Sequence, residues 1–201
     1  MELFEASKDL DDPILKAYEW IKEAEENSVA LPHAMNLASL NSEGKPTSRM
    51  VLLKRISNEG FVFFTDYEGN KGEQISKSPY VALNFWWAKT NKQIRIEGTC
   101  SKVTNEENDA YFLSRPRGSQ ISASVSFQSK EISSYEDLVE RSKAFEEENL
   151  NKEIQRPARW GGFILTPDSI EFWIDQRNRL HKRYLYTFHL LNHLQLSLIH
   201  I

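Results

Sequence analysis

The sequence predicts a mainly β fold of the α+β class, a closed or nearly closed antiparallel barrel with helices on its flanks. Three observations predict it. Short apolar or alternating segments recur along the chain, separated by turns rich in Gly, Pro, Asn and Ser. Aromatic residues are plentiful, with 11 Phe, 7 Tyr and 5 Trp, and aromatic side chains favour pleated surfaces. The strand–helix–strand rhythm of a parallel dinucleotide-binding sheet is missing.

Each element follows from local pattern. Residues 12–25 predict a helix, with Asp12 as cap, Pro13 in the first turn, and Ile14, Ala17, Trp20 and Ile21 on one face. The period then switches to strands. Ala34–Leu40, Thr47–Arg55 and Phe61–Asp66 read as an antiparallel meander, with turns at Asn41–Pro46 and Ser57–Gly60. Asn70–Lys77 predicts a short helix, ended by Pro79. Tyr80–Trp87 is an apolar strand. In Lys92–Val103, Ile94 and Ile96 alternate with Gln93, Arg95 and Glu97, the mark of a half-buried strand. Thr104 caps a helix containing Asn108–Leu113, and Tyr135–Glu148 is an acidic amphipathic helix. Two late strands are expected, Phe163–Thr166 and Ser169–Ile174, with Pro167–Asp168 as the turn between them.

Composition narrows the function. A chain of 201 residues suits one domain with a real core. A net charge of −4 argues against a general nucleic-acid binder. Cys100 is the only cysteine, so no disulfide within the chain and no cysteine-based metal site is expected, and a reducing, cytoplasmic setting suits it. The N-terminal segment is acidic and lacks the apolar run of a secretory signal. No stretch before residue 184 is apolar enough to span a bilayer, so no membrane partner is expected. The phosphate-loop, dinucleotide, metalloprotease and serine-hydrolase motifs are absent. Cys100 lies in a strand pattern and is expected to be packed. Any redox reactivity is therefore expected from an organic cofactor.

Five polar clusters remain. Arg49 and Lys54 bracket Met50, Val51, Leu52 and Leu53, so a buried strand holds cations at its rim. Phe64 and Thr65 lead through a Gly turn to Lys71 at a helix N-terminus, where free N–H groups attract anions. Tyr111 and Arg115, four apart, precede Arg117 and Ser119 around a Pro/Gly break. Gln128 and Ser129 end a Ser-rich stretch. Trp173 precedes Arg177–Arg183, which carries four cations and His181 in an acidic protein. Singly, these clusters suit a solvated strand end, a loop or a basic patch. Together they ask for a ligand with phosphate and flat aromatic parts.

Taken in order from about Asp12 to Arg183, these segments resemble the pyridoxine/pyridoxamine 5′-phosphate oxidase family. The resemblance rests on RMVLLK (Arg49–Lys54), KQIRIEG (Lys92–Gly98), YFLSRPRGSQI (Tyr111–Ile121), QS (Gln128–Ser129), WGGF (Trp160–Phe163), EFW (Glu171–Trp173) and RLHKR (Arg179–Arg183). It implies an FMN-binding split β-barrel and a homodimer with FMN at the subunit interface. It implies oxidation of pyridoxine or pyridoxamine 5′-phosphate to pyridoxal 5′-phosphate, a vitamin B6 reaction in which hydride passes to the flavin and O₂ becomes H₂O₂. By the same resemblance, Arg49 and Lys71 serve the FMN phosphate. The backbone of Met50–Leu53, with Lys54, Phe64, Thr65, Gln93, Gln128, Ser129, Trp173 and Arg183, completes the cofactor site. Lys54, Tyr111, Arg115 and Ser119 clamp the substrate phosphate, and Arg179 and His181 act as the catalytic pair over the pyridine ring. No metal is implied.

The chain departs from the family pattern in places. Asn70 stands where a cation is usual beside Lys71, Ser122 and Ser124 replace Gly and Trp, Ile174 and Asp175 replace Gln and Gly, and Lys182 replaces Asp. Residues 1–183 are expected to form the oxidase domain. Residues 184–201, which contain no Asp, Glu, Lys or Arg, are expected as an atypical tail in place of the family's final strand. His189 and His193 in it would share a face if the tail were helical. The alternative expectation is a protein of the same fold that holds FMN or pyridoxal phosphate with impaired turnover. A nicotinamide-dependent flavin reductase is disfavoured by the SRPRGS and RLHKR segments, and RNA binding by the acidic balance.

Overall fold

The computed structural model describes residues 4–189 and 193–199. Chain order is β1 (Glu5–Ala6), α1 (Ile14–Glu26), β2 (Ala34–Leu40), β3 (Pro46–Leu52), β4 (Arg55–Ser57), β5 (Gly60–Asp66), α2 (Asn70–Lys77), β6 (Tyr80–Trp87), β7 (Lys92–Lys102), α3 (Asn105–Ser114), α4 (Arg117–Val125), α5 (Tyr135–Glu148), β8 (Trp160–Ile174), β9 (Lys182–His189) and β10 (His193–Ile199). The sheet order is β1-β4-β5-β8-β7-β6-β2-β3, with β9 joined to β8 and β10 joined to β9. The end strands β1 and β3 do not pair with each other, so the expected barrel takes its open form.

The long strand β8 organises this sheet. One edge pairs with β7 from Lys102↔Phe163 to Lys92↔Ile174. The other edge is shared: residues 160–165 pair with β5, and residues 169–174 pair with β9. The reading of residues 163–174 as two strands and a turn is corrected here. Pro167 lacks an N–H for the ladder, and the register shifts between Glu97 and Gly98 instead of the chain reversing. Gly98 permits this, because a Cβ there would lie 2.1 Å from the Thr166 carbonyl oxygen.

The core is one large cluster inside the curled sheet, with a smaller one under the helices. The first includes Trp87, Phe61, Phe63, Phe85 and Phe172, and burial of each such side chain is worth roughly 1.5–3 kcal/mol. Helix α1 adds Ile14, Ala17, Trp20, Ile21 and Ala24, the predicted face extended by one turn. Asp12 does not cap it, since the N-cap position falls on Pro13 with no side-chain bond. Thr104 does cap α3, accepting from Glu107 N–H. The second cluster joins Phe112, Ile121, Ala123, Ile154 and Trp160.

One further expectation changes. The Pro/Gly break after Arg115 opens into helix α4, whose residues Ile121 and Ala123 are buried. Of the uncharged segment beyond Arg183, the described residues lie in β9, paired to β8, and in β10, paired to β9. Its aromatic residues alternate, and alternation suits a strand. Tyr186 is buried, and Tyr184 and Phe188 pack against the core from β9. His189 and His193 are opposite each other in the antiparallel β9–β10 pairing, not on a helix.

Candidate functional site

Three groups of polar residues stand out, and the fold gathers them from distant parts of the chain. The first surrounds the N-terminus of α2. Arg49 projects from β3 and donates to Ser39 Oγ at 2.6 Å, Thr47 Oγ1 at 2.8 Å and Gln74 Oε1 at 2.8 Å. Lys71 donates to Gln128 Oε1 at 2.7 Å, and Thr65 Oγ1 donates to the same oxygen at 3.2 Å. The Asn70 backbone N–H donates to Ser129 Oγ at 3.1 Å. Burial holds Lys71 below the ordinary lysine range, and the charge of Arg49 pushes it further down. Asp66 opposes this, but its carboxylate is tied to Arg159 by a buried ion pair of 2.5 Å. Two cations thus sit together among neutral amides and hydroxyls, an arrangement that favours an anion.

The second group lies under α3. Lys54 leaves the end of β3, and Arg115 is the C-terminal cap residue of α3. Burial lowers the Lys54 pKa, and the charge of Arg115 lowers it again. The guanidinium of Arg115 rests 4.5 Å from the Trp160 ring, and its Nη1 is buried with no hydrogen-bond partner. A buried, unpartnered donor of this kind calls for an acceptor from outside the chain. Beside it, Phe64 stacks on Tyr111 at 3.9 Å and on Trp160 at 5.2 Å, giving a flat aromatic wall. Ser119 is half-buried on the first turn of α4. Arg117 does not join this group. It donates to the Asn149 and Lys152 carbonyls and so ties α4 to the end of α5.

The third group lines a cavity of about 200 Å³ formed by Gln93, Arg95, Glu171, Trp173, Arg179, His181 and Arg183. Register explains the meeting: Trp173 lies between Gln93 of β7 and Arg183 of β9. Trp173 packs 4.5 Å from the His181 ring and 5.8 Å from Trp86. Arg183 donates twice to Glu171, at 2.6 and 3.1 Å. Arg179 sits with positive φ in a tight turn at Arg177–Arg179. Of the backbone expected to line the cofactor, Met50 and Leu52 face outward from β3 while Val51 and Leu53 are buried.

Sequence reasoning missed the polar partners of these side chains. Gln74 carries no local signal, and Glu171 and Asp175, though named in the sequence, give no sign there of pairing with Arg183 and His181. Cys100 is inert as expected: burial pushes its thiol up to about 12.

The third group is remote from the other two within one chain. On β8, Thr65 pairs with Gly161 while Gln93 pairs with Trp173, 12 positions further on. That is about 40 Å of extended strand. Among the described residues, no hydrogen bond, ion pair or ring contact joins the third group to the first or second.

Comparison with known proteins adds to this geometry. The family described as pyridoxamine 5′-phosphate oxidase matches residues 21–144, and that described as pyridoxine 5′-phosphate oxidase C-terminal dimerisation region matches residues 160–192. The chain is 44% identical over 182 residues to a pyridoxine/pyridoxamine 5′-phosphate oxidase of Psychromonas ingrahamii, covering 90% of this chain and 84% of that one. It is 46% identical over 175 residues to the protein of the same name from Cyanothece sp., covering 87% and 82%. Among solved structures, PhzG from Burkholderia lata, in complex with tetrahydrophenazine-1-carboxylic acid, superposes with a TM-score of 0.89 at 27% identity, over 96% of this chain and 95% of that one. An FMN-binding protein of Nostoc punctiforme, related to pyridoxamine 5′-phosphate oxidase, shares the fold with a TM-score of 0.77 at 17% identity, over 96% and 100%.

Proposed function

Because the chain belongs to the pyridoxine/pyridoxamine 5′-phosphate oxidase family, we infer that it oxidises pyridoxine or pyridoxamine 5′-phosphate to pyridoxal 5′-phosphate, with FMN as cofactor and O₂ reduced to H₂O₂. One observation carries the reading to this chain's own residues. Two half-buried cation pairs, Arg49 with Lys71 and Lys54 with Arg115, have no ion-pair partner among the described residues, and the second lies beside the Phe64–Tyr111–Trp160 stack. Two phosphorylated, flat ligands fit that pattern, and the orphaned Nη1 of Arg115 supplies a free donor for one of them.

The residues then divide the work. Arg49, Lys71, Thr65, Gln128 and Ser129 would hold the FMN phosphate end. The Met50–Leu53 backbone, Phe64, Gln93, Trp173 and Arg183 would border the flavin. Lys54, Tyr111, Arg115 and Ser119 would grip the substrate phosphate, and Arg179 and His181 would lie against its ring near the reacting carbon. Bound FMN supplies the hydride acceptor and the route to O₂. The chain's contribution is to hold the two rings in register and keep bulk water out.

The separation along β8 bears on assembly. Residues proposed to touch one flavin lie beside opposite ends of β8, so we place the site between two copies, each giving one end. The matched dimerisation region supports a homodimer. Lys182, the charge reversal in RLHKR, points to solvent and leaves Arg179 and His181 in place. A cytoplasmic setting suits the free, buried thiol of Cys100.

The absorbance spectrum of the purified protein tests the reading, followed by pyridoxine 5′-phosphate under air. Flavin bands and H₂O₂ are expected. Protein that takes up no FMN would overturn the cofactor assignment, and flavin bands without O₂ consumption would select the binding protein with impaired turnover.

A further inference from the structure

His181 has one ring nitrogen engaged and one free. Nδ1 lies 2.9 Å from Oδ1 of Asp175 and 3.2 Å from the backbone nitrogen of Gln176. Nε2 has no hydrogen-bond partner among the described residues. The two contacts at Nδ1 make opposite demands. A backbone N–H donates and needs Nδ1 bare, whereas a carboxylate accepts and needs Nδ1 protonated. In neutral imidazole the partner of one nitrogen fixes which nitrogen holds the proton.

Distance and charge both favour Asp175. The Gln176 N–H is the group aligned for a hydrogen bond to Nδ1, but the Asp175 carboxylate is nearer and carries a full charge, which favours a proton on the ring nitrogen facing it. The other charges facing the ring come from three elements. Arg95 is on β7, Glu171 on β8 and Arg183 on β9, with Arg179 in the turn before His181. Glu171 is already paired with Arg183 and, at 3.7 Å, with Arg95. Asp175 is thus the carboxylate left to the imidazole, and Trp173 fixes the ring's position from the side.

We propose that Asp175 is a positioning residue for His181, holding the proton on Nδ1 so that Nε2 offers its lone pair to the cavity. The proposal rests on the reading above and deepens it. When the substrate carbon gives up a hydride to the flavin, the O–H (or N–H) bond beside it also breaks. Its electrons form the new C=O (or C=N) bond, and its proton goes to Nε2. The opposite tautomer has no lone pair there to receive it.

The test needs no turnover. Imidazole ¹⁵N NMR of the purified protein, with His181 assigned by its loss in His181→Asn, reads the tautomer directly. The native chain should show Nδ1–H. In Asp175→Asn the side-chain amide can donate to Nδ1, and Nε2–H should take over. An Nε2–H tautomer in the native chain, or no change on substitution, would overturn the proposal whether or not the protein oxidises anything. Kinetics give a second readout. Asp175→Asn should lower kcat by at least about tenfold with KM held within about twofold, and Asp175→Glu should recover part of the loss. A change confined to KM would count against it.

Discussion

At the scale of the residue, the site is a set of charges held without their usual partners. Arg115 is the sharpest case, with Nη1 buried and free beside the Trp160 ring. Arg115→Ala should raise KM for the phosphorylated substrate by about 10- to 100-fold, the worth of a charge-assisted hydrogen bond, while FMN uptake stays unchanged. Steady-state kinetics beside a flavin titration check both halves. His33 makes a second prediction. It is buried with Nδ1 unpartnered, and its pKa is lowered first by burial and then by the charge of Lys54, against a weaker opposing effect of Glu25. The folded-state pKa lies below the ordinary histidine value of about 6.5, so as pH falls the unfolded chain takes the proton first. Stability should therefore be lost as pH drops from about 6.5 through the depressed value. Urea unfolding at several pH values should show that loss in the native chain and a flatter profile in His33→Phe.

At the scale of the element, local pattern was legible where one face meets one core. Strand Ala34–Leu40, helices Asn70–Lys77 and Tyr135–Glu148 and strand Tyr80–Trp87 stand where their periodicity puts them. Helix α4 was not legible, for a physical reason. Its sequence, RGSQISASV, is poor in helix formers, and Ser124 and Ser126 bond back to the carbonyls of Gln120 and Ser122. Tertiary capping supports it instead: Gln120 Nε2 donates to the carbonyls of Phe112, Leu113 and Arg115. The continuity of β8 was hidden in the same way, because Pro167–Asp168 has the composition of a turn and only the partner strand makes it a bulge. The site residues were legible as types and order through the resemblance, while Gln74 and the partners of Glu171 and Asp175 became visible only once strands were paired. Gly98 tests the bulge. Gly98→Ala would drive a methyl into the Thr166 carbonyl and should cost on the order of 2–4 kcal/mol, measured as a lowered denaturation midpoint.

At the scale of the whole molecule, the proposed shared site makes a quantitative prediction. Arg49→Ala and Arg179→Ala damage opposite ends of the chain and should each be nearly inactive alone. Mixed under subunit exchange, they should form heterodimers with one undamaged site, recovering about a quarter of native activity. No recovery on proven exchange would place both ends of the site within one copy. The two ends of the sequence are also joined. Lys16 of α1 lies over the rings of Phe172, Tyr184 and Tyr186 at 4.9, 4.6 and 5.6 Å, and Trp20 meets Phe172 edge-on at 5.0 Å. Helix α1 is thus completed by β9, a strand far later in the chain. During translation α1 waits with part of its apolar face unmatched until β9 emerges, so this contact forms late, and until then the growing chain exposes apolar surface of the kind that favours aggregation.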